Sequence, residues 1–128
     1  MMASSTKLID QCCFCSMATK NTCFECIGLL LSLSIHHPNT TFYLVCDSYT
    51  KHYIENTLTP TPRLKLQFFP CLDKYTNKNR RQMEANGSWC TFQMYKAWIL
   101  DKALETFSRA WFLDSDIIIL NDLLEGDN

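Results

Sequence analysis

The stretch Ala110–Leu120, AWFLDSDIIIL, decides how the rest of the chain reads. It sets two carboxylates, Asp114 and Asp116, between Trp111-Phe112-Leu113 and the apolar run Ile117 to Leu120. A short β-branched run bounded by polar residues predicts a strand buried on both faces, as in a parallel sheet. Strand side chains alternate, so Asp114 and Asp116 are expected on one face. Two like charges there repel and lose hydration unless a cation or a donor compensates. A divalent metal carrying a phosphate ligand would resolve that conflict. The alternative is a strand that ends at Asp114, with Asp116 in the following turn.

Upstream of this stretch, strand and helix patterns alternate. Cys12 to Ala18 predicts a first strand, followed by the polar turn Thr19-Lys20-Asn21. Thr22-Cys-Phe-Glu25 fits a capping box opening a helix, with Cys23, Ile27, Leu30, Leu31 and Ser34 on one face and a stop at His36-His37-Pro38. Thr41 to Cys46 predicts a second strand ending at Asp47-Ser48, and a weak helix covers Tyr49 to Thr57. Pro60 and Pro62 break the chain before a third strand, Leu64 to Phe69. The polar segment Cys71 to Ser88 carries Lys74, Lys78, Arg80 and Arg81 and predicts a surface loop with one helical turn, a candidate lid or substrate loop. Trp89 to Phe107 has the strongest helical pattern, with Phe92, Tyr95, Ile99, Ala103 and Phe107 on one face.

Repeated βα units predict an α/β fold, a Rossmann-like parallel sheet flanked by helices. Ligands in such sheets bind beyond the carboxyl ends of the strands, where the strand order reverses. Three polar groups converge at that edge: the Thr19-Lys20-Asn21 turn, Asp47-Ser48, and Asp114-Ser115-Asp116. The only glycines are Gly28, Gly87 and Gly126, so neither a dinucleotide fingerprint nor a phosphate-binding P-loop is present.

Composition bounds the class. Of 128 residues, 47% are apolar and 20% charged, a globular balance, and the net charge of −1 gives no basis for nucleic-acid binding. No apolar run spans a bilayer, and MMASSTKLID lacks the apolar core of a secretory signal, so a cytoplasmic protein is expected. Asn39-Thr-Thr and Asn86-Gly-Ser match the glycosylation acceptor pattern but are read as coincidental without an export signal. Eight cysteines include Cys12-x-x-Cys15 and Cys23-x-x-Cys26, which look like halves of a zinc site and suggest an alternative, a noncatalytic zinc-binding or interaction module. Against it, residues three apart on a strand face opposite sides, and cysteine also serves as a small buried apolar residue in a reducing compartment.

The blocks CCFCSMATKN, GLLLSLSIHHPNTTFYLVCD, GSWCTFQMYKAWILDKAL and AWFLDSDIIILNDL together resemble the nucleotide-sugar half of GT-A fold glycosyltransferases. The last two blocks carry the resemblance: a Lys-bearing helix, then an apolar strand holding Asp-x-Asp. It spans about Gln11 to Leu123, so residues 1–10 are expected as a flexible N-terminus and 11–128 as the domain. The resemblance implies a metal-dependent transferase that moves a sugar from a nucleotide-diphosphate sugar, a UDP-sugar in the first instance, to an acceptor hydroxyl. It implies Asp116 as the metal-coordinating residue, with Asp114 holding the ribose, or the metal through water. The ion would be Mn²⁺, with Mg²⁺ as substitute. Lys96 matches the family lysine that meets phosphate or sugar. By position Ala18, Thr19 and Lys20 line the nucleoside pocket, and Asp47 either bonds base or ribose or caps the following helix. His36, His37 and His52 match no role and are expected at helix ends or the surface. Family members continue past Asp-x-Asp with the acceptor pocket, so this chain is expected to be a donor-binding half whose catalytic residues are unknown.

Overall fold

The computed structural model describes residues 8–58, 63–121 and 123. Among the described residues four strands and four α-helices follow in the order β1 (Leu8–Ala18), α1 (Cys23–His36), β2 (Thr40–Cys46), α2 (Ser48–Thr57), β3 (Leu64–Pro70), α3 (Arg80–Asn86), α4 (Trp89–Leu104) and β4 (Phe107–Phe112). The strands form one parallel sheet in the order β3-β2-β1-β4. This is the α/β, Rossmann-like parallel sheet flanked by helices that the alternating pattern predicts.

Alternation along β1 builds two cores. Cys12, Phe14 and Ala18 pack with Cys26, Leu29, Leu30 and Leu33 of α1 and Ile54 of α2. Cys13, Cys15 and Met17 face the other way, against Phe92, Ile99 and Ala103 of α4 together with Tyr75 and Met83. Each fully buried leucine on α1 stabilises the first layer by about 1.5–3 kcal/mol. β1 is therefore apolar on both sides, as a central parallel strand must be. The chain steps outward from β1 to β2 to β3 with α1 and α2 on one face. It then returns past β1 to β4 with α4 on the other face, so the strand order reverses between β1 and β4.

The stretch around Asp114 departs from the buried strand expected of it. β4 ends at Phe112, whose partner is Cys15, and the Leu113 N–H still donates to Cys15 O at 2.9 Å. Asp114 and Asp116 then lie exposed on a turn closed by Ile117 N–H to Asp114 O at 3.1 Å. Hydration explains the difference, since burying two carboxylates on a strand costs far more than ending it, and aspartates favour turns. Ile117 to Leu120 form no strand. The segment instead crosses α1, where Ile119 is buried, its N–H donates to Ser32 Oγ at 2.9 Å, and Leu123 N–H donates to His37 Nε2 at 2.8 Å. A Cβ on Gly28 would stand 3.1 Å from Ile118 Cδ1, so glycine permits this close crossing.

Other expectations shift as well. The Thr22 hydroxyl does not cap α1; it accepts from Thr19 N–H at 3.1 Å, because a 3-10 turn, Lys20–Thr22, precedes the helix. The buried face of α1 is Cys23, Cys26, Leu29, Leu30 and Leu33, whereas Leu31 is exposed. Cys26 to Leu33 is apolar almost throughout, so periodicity alone could not select a face. Phe107 opens β4 rather than closing α4. The 71–88 segment is more helical than a loop, containing a 3-10 turn at Asp73–Tyr75 and α3. His37 caps the end of α1, one of the positions expected for it, and is buried there, 5.1 Å from the Phe14 ring. β1 begins at Leu8, inside the stretch expected to be flexible, while Pro60 and Pro62 lie outside the described residues. Among the described residues no helix is long and apolar enough to cross a membrane.

Candidate functional site

The tips of β1 and β2 are joined by a buried carboxylate. Asp47 is fully buried, and its Oδ1 accepts from Thr50 N–H at 3.0 Å, which caps α2. Its Oδ2 accepts from Lys20 N–H at 3.1 Å. Both oxygens are thus engaged by backbone donors, so Asp47 fixes the Lys20 turn, and of its two expected roles the cap is the one seen. The Lys20 ammonium lies 5.1 Å over the Tyr49 ring.

On the other side of β1, where the strand order reverses, a cavity of about 260 Å³ opens at the carboxyl ends of β1 and β4. Met17, Ala18 and Phe112 form its base, and Thr19, Asn21 and Thr22 its β1 rim. Phe92, Gln93 and Lys96 of α4 line one wall, and Lys78, Asn79, Arg80 and Met83 another, with Trp89 between them. Asp114 enters from the turn after β4. Lys78, Arg80 and Lys96 are among its lining residues with one carboxylate, Asp114, although most of the exposed lining is apolar. Arg80 is paired with Glu84 and Lys96 with Asp114.

Lys96 Nζ stands 3.6 Å from Asp114 Oδ1 and 5.5 Å from the Phe112 ring centre. The lysine stem runs along apolar surface while its head stays in water. Arg80 is held by Glu84, Nε to Oε2 at 3.1 Å, and by the Trp89 ring at 4.8 Å. The Asn21 Nδ2 group donates to Lys78 O at 3.1 Å and ties the α3 side to the β1 turn.

Of the residues singled out from sequence, the structure brings Ala18, Thr19, Lys96 and Asp114 together. Lys20, Asp47 and Asp116 do not line the cavity. Asn21 belongs to the turn expected at this edge, whereas sequence reasoning missed Trp89, Phe92 and Gln93 as wall residues. Lys78 and Arg80 belong to the segment expected as a candidate lid or substrate loop, without either being singled out.

A hard divalent cation can be bound by one or two carboxylates, with phosphate and water completing its shell. Asp114 and Asp116 are exposed on one short turn and could supply such oxygens, but only Asp114 lines the cavity, where it is paired with Lys96. Among the described residues no group of three or more His, Cys, Asp or Glu is placed to hold a metal. The two Cys-x-x-Cys pairs are not arranged as a zinc site: Cys12 and Cys15 lie in opposite cores, divided by the sheet. Burial pushes the Cys26 thiol up to about 12 and raises Cys46 as well, so both stay protonated and poor as ligands at neutral pH.

A second cavity, about 350 Å³, lies between α2 and β3. It is the larger, but its walls are Ile54, Leu58, Leu64, Leu66 and Phe68 with one carboxylate, Glu55, and it offers no cation or donor cluster. The β1–β4 crevice is therefore the candidate site. No protein-family model and no curated protein matches the sequence.

Proposed function

We propose that the chain binds a nucleotide-diphosphate sugar, a UDP-sugar in the first instance, in the β1–β4 crevice, as the donor-binding part of a GT-A-like glycosyltransferase. The activity is transfer of the donor's sugar to an acceptor hydroxyl. One observation carries this reading: a cavity whose lining includes Lys78, Arg80 and Lys96 sits where the strand order reverses, with Asp114 at its edge. Ligands of doubly wound sheets bind at that position. A diphosphate supplies the negative charge that Lys96, Lys78 and Arg80 call for.

In this reading Ala18 and Thr19 flank the nucleoside, and Lys96 neutralises phosphate or meets the sugar. Asp47 acts one step removed, by holding the turn that carries Thr19 and Lys20. Asp114 and Asp116 would hold Mn²⁺ or Mg²⁺, which supplies Lewis-acid stabilisation to the departing diphosphate. Asp114 also orients Lys96 through their ion pair. A cytoplasmic, reducing compartment belongs to the same proposal and suits a chain whose cysteines are free, six of them buried.

Thermal unfolding with Mn²⁺ and a panel of nucleotide-sugars tests the reading. A ligand that binds only the folded state stabilises it by about 2.7 kcal/mol at a hundredfold excess over Kd. At least one nucleotide-sugar is expected to raise Tm, and the rise should disappear in Asp114→Ala/Asp116→Ala. A panel without effect, or a rise unchanged in the double variant, overturns the assignment.

A further inference from the structure

The α3 wall of the cavity is better built than a solvated basic segment needs to be. Asn79 and Gln82 cap its start reciprocally, with Gln82 N–H to Asn79 Oδ1 and Asn79 N–H to Gln82 Oε1 both at 2.8 Å. Gly87 ends it in the left-handed region at φ 83°, which glycine adopts without strain. Met83 anchors it in the α4-side core. The Asn21 side-chain amide holds the Lys78 carbonyl across the cavity rim. Two cations are thereby carried to the cavity on a fixed backbone.

Arg80 is placed further by its partners. Its guanidinium lies over the Trp89 ring and its Nε meets Glu84. The Arg80–Glu84 pair is largely exposed, 69% and 51%, so it contributes little by itself and yields readily to a stronger anion. A guanidinium fixed on an aromatic face presents its remaining donors as a planar fork, the geometry that matches phosphate oxygens. Lys78 lines both this cavity and a neighbouring one of about 280 Å³ that also contains Lys74, so positive charge continues around the wall.

We propose that Lys78 and Arg80 are phosphate-binding residues, gripping the ligand's diphosphate from the side opposite Lys96, with Asn21 as the positioning residue that sets the width of the cavity. This rests on the reading of the crevice as a nucleotide-sugar site and adds to it a second set of phosphate contacts, from Lys78 before α3 and Arg80 at its start.

Calorimetric titration of inorganic pyrophosphate at fixed Mg²⁺ tests the assignment with the intact chain. Lys78→Met and Arg80→Met each remove charge but keep side-chain length, and each is expected to weaken binding about tenfold or more, the loss of a charge-assisted hydrogen bond. Arg80→Lys should fall between wild type and Arg80→Met, because it keeps the charge and loses the fork. Lys65→Met, on exposed β3, changes net charge equally and should leave affinity unaltered. In Asn21→Ala the Lys78 and Arg80 dependence of binding should shrink, an effect that loss of stability alone does not produce. Absence of pyrophosphate binding, or equal affinity in the Lys78 and Arg80 variants and wild type, overturns the proposal. If pyrophosphate binds as expected but no nucleotide-sugar binds more tightly, the phosphate contacts stand and the nucleotide-sugar reading fails.

Discussion

Lys96 and Asp114 meet at the edge of the β1–β4 crevice, with Nζ 3.6 Å from Oδ1, one supplied by α4 and the other by the turn after β4. Their side chains are 38% and 63% exposed, so the pair is solvated and contributes less than about 1 kcal/mol to stability. On the proposed reading its position serves binding rather than folding. Lys96→Met is therefore expected to leave the urea midpoint nearly unchanged. It should weaken nucleotide-sugar binding about tenfold or more, as loss of a charged contact to phosphate does. Titration and urea unfolding of the same variant separate the two effects.

Asp47 is the reverse case. It lies outside the cavity, yet both carboxylate oxygens accept backbone N–H groups, from Lys20 and from Thr50. Asp47→Ala loses the α2 cap and leaves two donors without their partner, a cost on the order of 2–4 kcal/mol. Urea unfolding is expected to show that loss. Amide exchange should show faster opening of the Lys20 turn and of the first turn of α2.

The buried thiols make the fold sensitive to alkali. Cys26 is held up to about 12 by burial, with the neighbouring Cys23 adding to the shift. The folded state grips this proton more tightly than the unfolded chain, so the stabilisation is fully present below about pH 8.5–9, the ordinary thiol range. It is lost as pH rises toward the folded value. Between those limits stability should fall by about 1.4 kcal/mol per pH unit for each such thiol. Cys26→Ala should remove one such increment from the slope, as read from urea midpoints at pH 9.5, 10.5 and 11.5. Alkylation at pH 8 should modify Cys90 and Cys71, the exposed thiols, before the six buried ones.

Gly28 offers a test of the crossing over α1. A Cβ there would meet Ile118 Cδ1 at 3.1 Å, and Ile118 is 55% exposed, so the far end of a flexible side chain can swing aside. Gly28→Ala should then keep most of the roughly 1 kcal/mol that alanine gains over glycine inside a helix. Gly28→Leu cannot be accommodated by that movement. It should lift the Ile117–Leu120 segment off α1 and lower the urea midpoint.

The fold was legible because its evidence is local. Apolar strands at Cys12, Thr41 and Leu64, separated by helical patterns, leave little choice but a parallel sheet. The site was legible in part. Thr19 follows the first strand and Lys96 sits on the last helix, so topology alone brings them to one edge. The Asp114–Asp116 turn was misread as strand because an Ile-rich flank signals burial without saying what buries it. Here Ile119 enters the α1-side core from an unpaired segment rather than from the sheet. The polar 71–88 segment was legible as a candidate substrate loop, but not which of its cations line the cavity. The Asn21–Lys78 bond that ties this wall to the β1 turn joins residues 57 positions apart, and no local pattern encodes that.

Amide chemical-shift mapping tests the location of binding most directly. On adding a UDP-sugar with Mg²⁺, the largest changes are expected at Thr19 to Thr22, Lys78 to Arg80, Lys96 and Leu113 to Asp116, all around the β1–β4 crevice. Changes confined to the α2–β3 groove at Ile54, Leu58 and Leu66, or no changes with any nucleotide-sugar, would contradict a donor site in that crevice.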